Sequence, residues 1–305
     1  MQTAEWQSRL KERDVRTRLR TVQEIAATKD PAHIPLLLRC LNDRSNFVVA
    51  AAAKGLGACP HSQAITPLVR CYWSLAKKGP TKDRTCAARI EIIPALVACE
   101  AMEASEVYFH AIKAVQIEPS GMGTEDVAVP LRMEAASALA TFRPAGALLA
   151  ISLLLFDPTA PLARMAAAKA LGHLGDPGAV AVLGVRLARP ENEDAEVLIS
   201  CMDALVELDP EAACELILPY LHKTDPYLIA GAATALATLG PPYQTRVLAI
   251  LEAAYDQAAL PDAQEAIILA IASMRSDAAT GTLDRLAEQR GESVRDVLRK
   301  AGLRP

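Results

Sequence analysis

LARMAAAKALGHLGDPGAVAVLGVRL, running from Leu162 to Leu187, reads as two helices broken at one point. Apolar residues recur at helical spacing up to Leu171 and Leu174, the Asp176-Pro177 pair stops the first helix, and a second apolar run is centred on Leu183. Proline at the first position of a helix loses only an N–H that has no intrahelical partner, and aspartate favours the positive helix start. The same pattern returns along the chain. One apolar anchor per unit gives Ile25, Leu56, Leu96, Leu139, Leu171, Leu205, Leu236 and Ile271, at intervals of 31, 40, 43, 32, 34, 31 and 35 residues. Repetition at this period predicts a solenoid of stacked helical pairs, because one pair cannot bury its apolar face alone.

A second column supports the first. Twelve residues past the anchors stand Leu37, Leu68, Tyr108, Ile151, Leu183, Ile217, Leu248 and Leu283, all expected in the core. Breakers follow most anchors: Asp30-Pro31, Pro60, Pro144, Asp176-Pro177, Asp209-Pro210 and Pro241-Pro242, with Asp277 alone in the last unit. Arg18, Arg89, Arg132 and Arg164 each lie seven residues before an anchor. They are read as a partly exposed structural ladder between repeats, paired with turn carboxylates such as Asp176.

The stretch from Leu162 to Leu187 resembles a HEAT repeat, in particular the HEAT-like subtype first associated with phycobilisome lyases. The resemblance extends over about residues 15 to 290 and is weakest in the third unit. It implies an all-α fold, an α-solenoid (superhelix) of about eight HEAT-like helix-turn-helix repeats, with the second helices lining a concave groove. The expected organisation is a single domain over 1–305: an N-terminal helix and first repeat in 1–43, further repeats in 44–290, and a C-terminal capping helix in 291–305. The family consists mostly of scaffolds and adaptors.

Composition agrees: 51% of residues are apolar and only 4% aromatic, which suits closely packed alanine-rich helices. The longest apolar run, around residues 145–156, is too short to span a bilayer, so no membrane role is expected. The charged N-terminus has no apolar secretory core, and seven cysteines without a C-x-x-C spacing fit a reducing compartment, which points to the cytoplasm. Cys40 and Cys71 share a repeat column and are read as small core fillers.

Charge is uneven. Residues 1–89 hold 16 Lys and Arg against 7 Asp and Glu, whereas the remainder holds 16 against 29. A basic first third steers acidic partners, nucleic acid among them, or simply provides solubility. Two stretched intervals place insertions at residues 76–84 (AKKGPTKDR) and 118–126 (EPSGMGTED). The second reads as a flexible loop, and its Gly121-Met122-Gly123 lacks the G-K-[ST] of a phosphate loop.

The candidate binding residues come from the second helices. In units four and five these are apolar almost all round, and Leu149, Leu153, Phe156, Ala181 and Val185 are assigned to the groove as an interface with another protein, the alternatives being burial or a homodimer. In earlier units the equivalent positions are Arg39, Arg70, Trp73, His110 and Lys113, a basic and aromatic floor. Whether Trp73 is exposed stays open, because Tyr72 and Trp73 both fit the helical core stripe. No catalytic, cofactor or metal motif emerges; Glu191, Glu193, Asp194 and Glu196 are read as a solvated helix start. The favoured reading is a non-enzymatic scaffold that binds another protein. A nucleic-acid binder using the basic N-terminal third is the alternative, and a tetrapyrrole lyase or chaperone role, implied by the repeat subtype alone, is the third.

Overall fold

The computed structural model describes residues 2–121 and 123–302, so Met1, Met122 and residues 303–305 lie outside the description. The chain divides into two compact units, 1–170 and 171–305.

In the first unit a leading helix α1 (Gln2–Arg9) precedes four helical pairs. They are α2 (Val15–Ala27) with α3 (Ile34–Cys40), α4 (Asn46–Ala58) with α5 (Ile65–Lys78), α6 (Ala87–Ala98) with α7 (Ser105–Ala111), and α8 (Val129–Phe142) with α9 (Ala147–Leu155). The first helices α2, α4, α6 and α8 pack side by side as one layer. Their apolar stripes supply the core: Ile25, Leu56, Leu96 and Leu139 are all buried, as are Leu37, Leu68, Tyr108 and Ile151 of the second column. Small residues let the layer close up. A Cβ on Gly55 would sit 2.7 Å from the Ala26 Cβ, so α2 and α4 meet where glycine alone fits. Aspartates start helices as expected, Asp14 accepting from Thr17 N at 2.9 Å and Asp30 from Ala32 N at 2.9 Å.

The second unit begins inside α10 (Pro161–Leu174) and continues with α11 (Gly178–Ala188), α12 (Ala195–Leu208), α13 (Pro210–Ile217), α14 (Pro226–Ala237), α15 (Gln244–Gln257), α16 (Pro261–Ser273), α17 (Asp277–Arg290) and α18 (Glu292–Lys300). Here α12, α14 and α16 form the first-helix layer, and α18 packs on α16 as a terminal cap. Leu171, Leu205, Leu236 and Ile271 are buried, together with Leu183, Ile217 and Leu248. Leu283 departs from its column: it is half-buried, and Leu286 takes the core position instead. In the last pair α17 starts directly at Asp277, capped by Ser276, and its buried face is Ala279, Thr282, Leu286 and Ala287.

Two expectations about the loops are corrected. The 118–126 insertion is an antiparallel β-hairpin, β1 (Ile117–Ser120) pairing with β2 (Gly123–Asp126), rather than a loop without structure. The repeat arginines are buried, not partly exposed, and none of the contacts described for them reaches Asp176, which accepts from Gly178 N at 2.8 Å at the start of α11. Their partners come from the loops between pairs. Arg18 forks onto Asp43 at 2.8 and 2.9 Å, Arg89 meets Asp83 at 2.8 Å, and Arg132 meets Asp126 at 2.6 Å and Asp157 at 3.4 Å. Arg164 donates to the Asp157 carbonyl at 2.9 Å. The reason is geometric: seven residues of helix turn through nearly two full revolutions, so a side chain two turns before a buried anchor points to within about 20° of it.

Candidate binding surfaces

α5 carries the basic and aromatic residues outward because its inner face is already spoken for. Leu68, Tyr72 and Leu75 are buried at helical spacing, which leaves Arg70, Trp73 and Lys77 together on the opposite, exposed side. The ambiguity between the two aromatics is thereby resolved: Tyr72 is core and Trp73 is surface. The Tyr72 hydroxyl lies 2.8 Å from His110 Nδ1, and the Trp73 ring meets the same imidazole edge-on at 4.8 Å between centroids. Partial burial, and then the positive charge of Arg89, hold the His110 pKa below its usual value. At neutral pH this imidazole is uncharged, so it contributes a ring rather than a cation to the surface.

Two clefts flank α5. One, of about 430 Å³, lies toward α3 and α4 and is rimmed by Arg44, Arg70, Lys78 and Lys82 around Cys71 and Ser74. Cys71 is therefore a cleft wall and not the core filler expected; its thiol is 3.4 Å from the Leu41 carbonyl, and burial pushes its pKa up to about 12, which keeps it protonated and unreactive. The other cleft, of about 490 Å³, lies toward α7 and is lined by Pro80, His110, Lys113, Val115 and Ile117. Arg39, Arg70, Lys77, Lys78, Lys82 and Lys113 have no ion-pair partner among the described residues. Neither α3 nor α5 contains an acidic residue that could supply one.

The insertions, distant in sequence, meet to wall the second cleft. Asp83, fully buried, accepts from Ala88 N at 2.9 Å and from Arg89 Nε at 2.8 Å. Gln116 donates to the Asp83 carbonyl at 2.9 Å and to Glu118 at 2.6 Å, while Glu118 also accepts from Thr85 N at 2.8 Å. Asp126 accepts from Gln116 N at 3.0 Å and so ties the hairpin to Arg132. Sequence reading found the loops but not this network, since nothing in a basic run such as AKKGPTKDR marks its one aspartate as the buried member.

Farther along the first unit, α9 turns Ala150, Ile151, Leu154 and Leu155 inward and leaves Leu149 and Leu153 outside, 65% and 63% exposed, with Phe156 exposed at its end. Leu149, Leu153 and Phe156 follow i, i+4, i+7 spacing and share one face. Ala181 and Val185 of α11 are exposed too, but they belong to the second unit. In that unit Glu193 corrects another expectation. Its side chain is buried against Arg186, so this member of the acidic stretch is part of a structural ion pair rather than of a solvated helix start.

Among the described residues no helix is long and apolar enough to cross a membrane, and no three His, Cys, Asp or Glu side chains group as metal ligands would.

Stacked helical pairs with buried anchors define a helical-repeat protein. The family model for HEAT repeats matches residues 3–80 and 121–195, half of the chain, and the chain belongs to that family. No curated protein matches it. Among solved structures, human deoxyhypusine hydroxylase in complex with glycerol is 18% identical over 74% of this chain and 80% of its own, with a TM-score of 0.34. The complex of CpcE and CpcF of phycocyanin lyase from Nostoc sp. PCC7120 is 16% identical over 91% and 90%, with a TM-score of 0.35. Similarity this distant is silent on chemistry.

Proposed function

We propose that this HEAT-repeat chain is a non-enzymatic scaffold that captures another protein on its exposed second helices, with α9 as the apolar anchor. The observation that carries this reading is the outward row Leu149, Leu153 and Phe156. Burying a leucine side chain stabilises an association by roughly 1.5–3 kcal/mol, and a shared face of three large apolar residues exposed to water favours being covered. Ala181 and Val185 of α11 are proposed as a further contact of the same kind in the second unit. The cytoplasm is the proposed location.

Leu153→Asp tests the reading, because a charge placed in an apolar contact must be desolvated without a partner. The variant is expected to keep the helicity and melting temperature of the parent and to lose a protein that the parent recovers from nuclease-treated native lysate. Unfolding of the variant, or recovery of the same protein in the same yield, would overturn the assignment of α9. So would a variant whose sole change, by sedimentation, is from dimer to monomer, since the face would then be a self-contact.

A further inference from the structure

We infer that the cationic face around α5 is a docking site for an acidic peptide segment of the captured protein, its carboxylates seated in the cleft toward α3 and α4 and a neighbouring apolar side chain set against Trp73 and the cleft toward α7. This rests on the scaffold reading above and adds the chemistry of the partner.

Charge is the first argument. Arg70, Lys78 and Lys82 converge on the first cleft without ion-pair partners, and Arg44, which donates to the Arg13 carbonyl, adds a fourth positive charge. Asp43, the one carboxylate among the described residues lining this cleft, is engaged by Arg18. Like charges gathered without compensation repel one another and are relieved by a ligand that brings negative charge. Several carboxylates of one extended segment meet that need.

The second argument is the change of character across α5. Beyond Trp73 the surface becomes mainly apolar: His110 is neutral, Arg89 is consumed by Asp83, and Val115 and Ile117 present apolar side chains that are 68% and 55% exposed. Among the described residues lining this cleft, Lys113 is the one cation without an ion-pair partner. A nucleic-acid strand repeats its charge at every residue and calls for a continuous basic track. A peptide can alternate, acidic on one side of the tryptophan and apolar on the other, which is the pattern this face displays. The hairpin strand carrying Ile117 is held by the Gln116, Glu118 and Asp83 network, so the apolar wall is pre-formed and costs little ordering on binding.

The experiment uses the full chain and fluorescein-labelled synthetic probes read by anisotropy. The first peptide carries three consecutive glutamates followed by a leucine and a phenylalanine; its controls replace glutamate by glutamine, or both apolar residues by serine; an oligothymidine is the fourth probe. The first peptide is expected to bind, to shift Trp73 emission, and to weaken as salt rises from about 50 to 300 mM. The glutamine control is expected to bind roughly tenfold more weakly and the serine control several-fold more weakly. Arg70→Ser with Lys78→Ser and Lys82→Ser is expected to cost about tenfold, and Val115→Ser with Ile117→Ser about fivefold, each at unchanged melting temperature. Leu153→Asp is expected to lose lysate capture and keep peptide affinity, which separates this site from the α9 face: retained capture by that variant, with glutamate-selective peptide binding by the parent, fails the α9 reading alone, and lost capture without glutamate-selective peptide binding by the parent fails this proposal alone. Equal affinity for the glutamate and glutamine peptides, or tighter binding of oligothymidine than of the glutamate peptide, would overturn the proposal.

Discussion

The repeats around α5 in the first unit and helices α15 to α18 in the second use arginine differently. In the first, Arg18, Arg89 and Arg132 are buried and locked onto loop aspartates, while the cations left outside on α3 and α5 stand unpaired. In the second, Arg246, Arg285, Arg290 and Arg299 are exposed and each meets a carboxylate on the surface: Glu211, Glu252, Asp256, and Glu292 with Asp296. A surface whose charges are matched within the chain has little electrostatic work left to do for a partner. One whose buried charges are matched and whose exposed charges are not retains a field that an acidic ligand can neutralise. The same residue type is thus a structural clamp, a neutralised surface, or a docking contact, depending on depth and on what lies opposite.

The largest expected effect comes from breaking a clamp. Arg89→Ala leaves Asp83 charged in a fully buried site and is expected to destabilise by about 3–5 kcal/mol in denaturant unfolding. A loss no greater than that of a surface variant would erase the distinction between the buried and the exposed arginines. Next come the anchors, which the two units are expected to treat alike. Leu139→Ala and Leu205→Ala should each cost about 2–5 kcal/mol through the cavities they leave, and half-buried Leu283→Ala should cost less than about 2. A large gap between Leu139 and Leu205 would show that the repeat columns are not energetically equivalent.

A smaller effect should follow pH. Burial pushes the Asp126 carboxyl up, but the hydrogen bonds from Gln116 N, Arg132 and Ala128 N outweigh it and hold the pKa below the usual carboxylate range. Asp43 behaves likewise: burial raises it, and Arg18 and the Ser45 N–H more than reverse the rise. A carboxyl whose folded pKa is depressed stabilises the fold above its unfolded pKa, about 3.9, and that contribution fades as pH falls through the folded value. The melting temperature should therefore drop below about pH 4, and Asp126→Asn should melt lower than the parent at pH 7 yet lose less on acidification. Parallel pH profiles for parent and variant would remove Asp126 from the acid response. The smallest effect belongs to the second unit's surface pairs. Arg246→Ala, which removes an exposed pair with Glu211, is expected to leave the melting temperature unchanged within error.

The sequence alone determined the repeat and its punctuation. Anchors from Ile25 to Ile271, helix starts at Asp30 and Asp209, and the outward row Leu149, Leu153 and Phe156 could be read because helix periodicity and capping are set by residues within a few positions of one another. The same local spacing left the exposure of Trp73 open, since adjacent aromatic residues in an apolar helix carry no mark of which one the neighbouring helices will cover. Depth and pairing were decided in three dimensions. Whether Arg132 is a surface ladder or a buried clamp, whether Glu193 is solvated or enclosed by Arg186, and whether residues 76–84 and 118–126 are separate loops or one braced wall all depend on chain segments tens of residues away. Charged side chains carry no spacing rule that records their partners: the energy of an ion pair depends on distance and on exclusion of water, and only the packed repeats supply either.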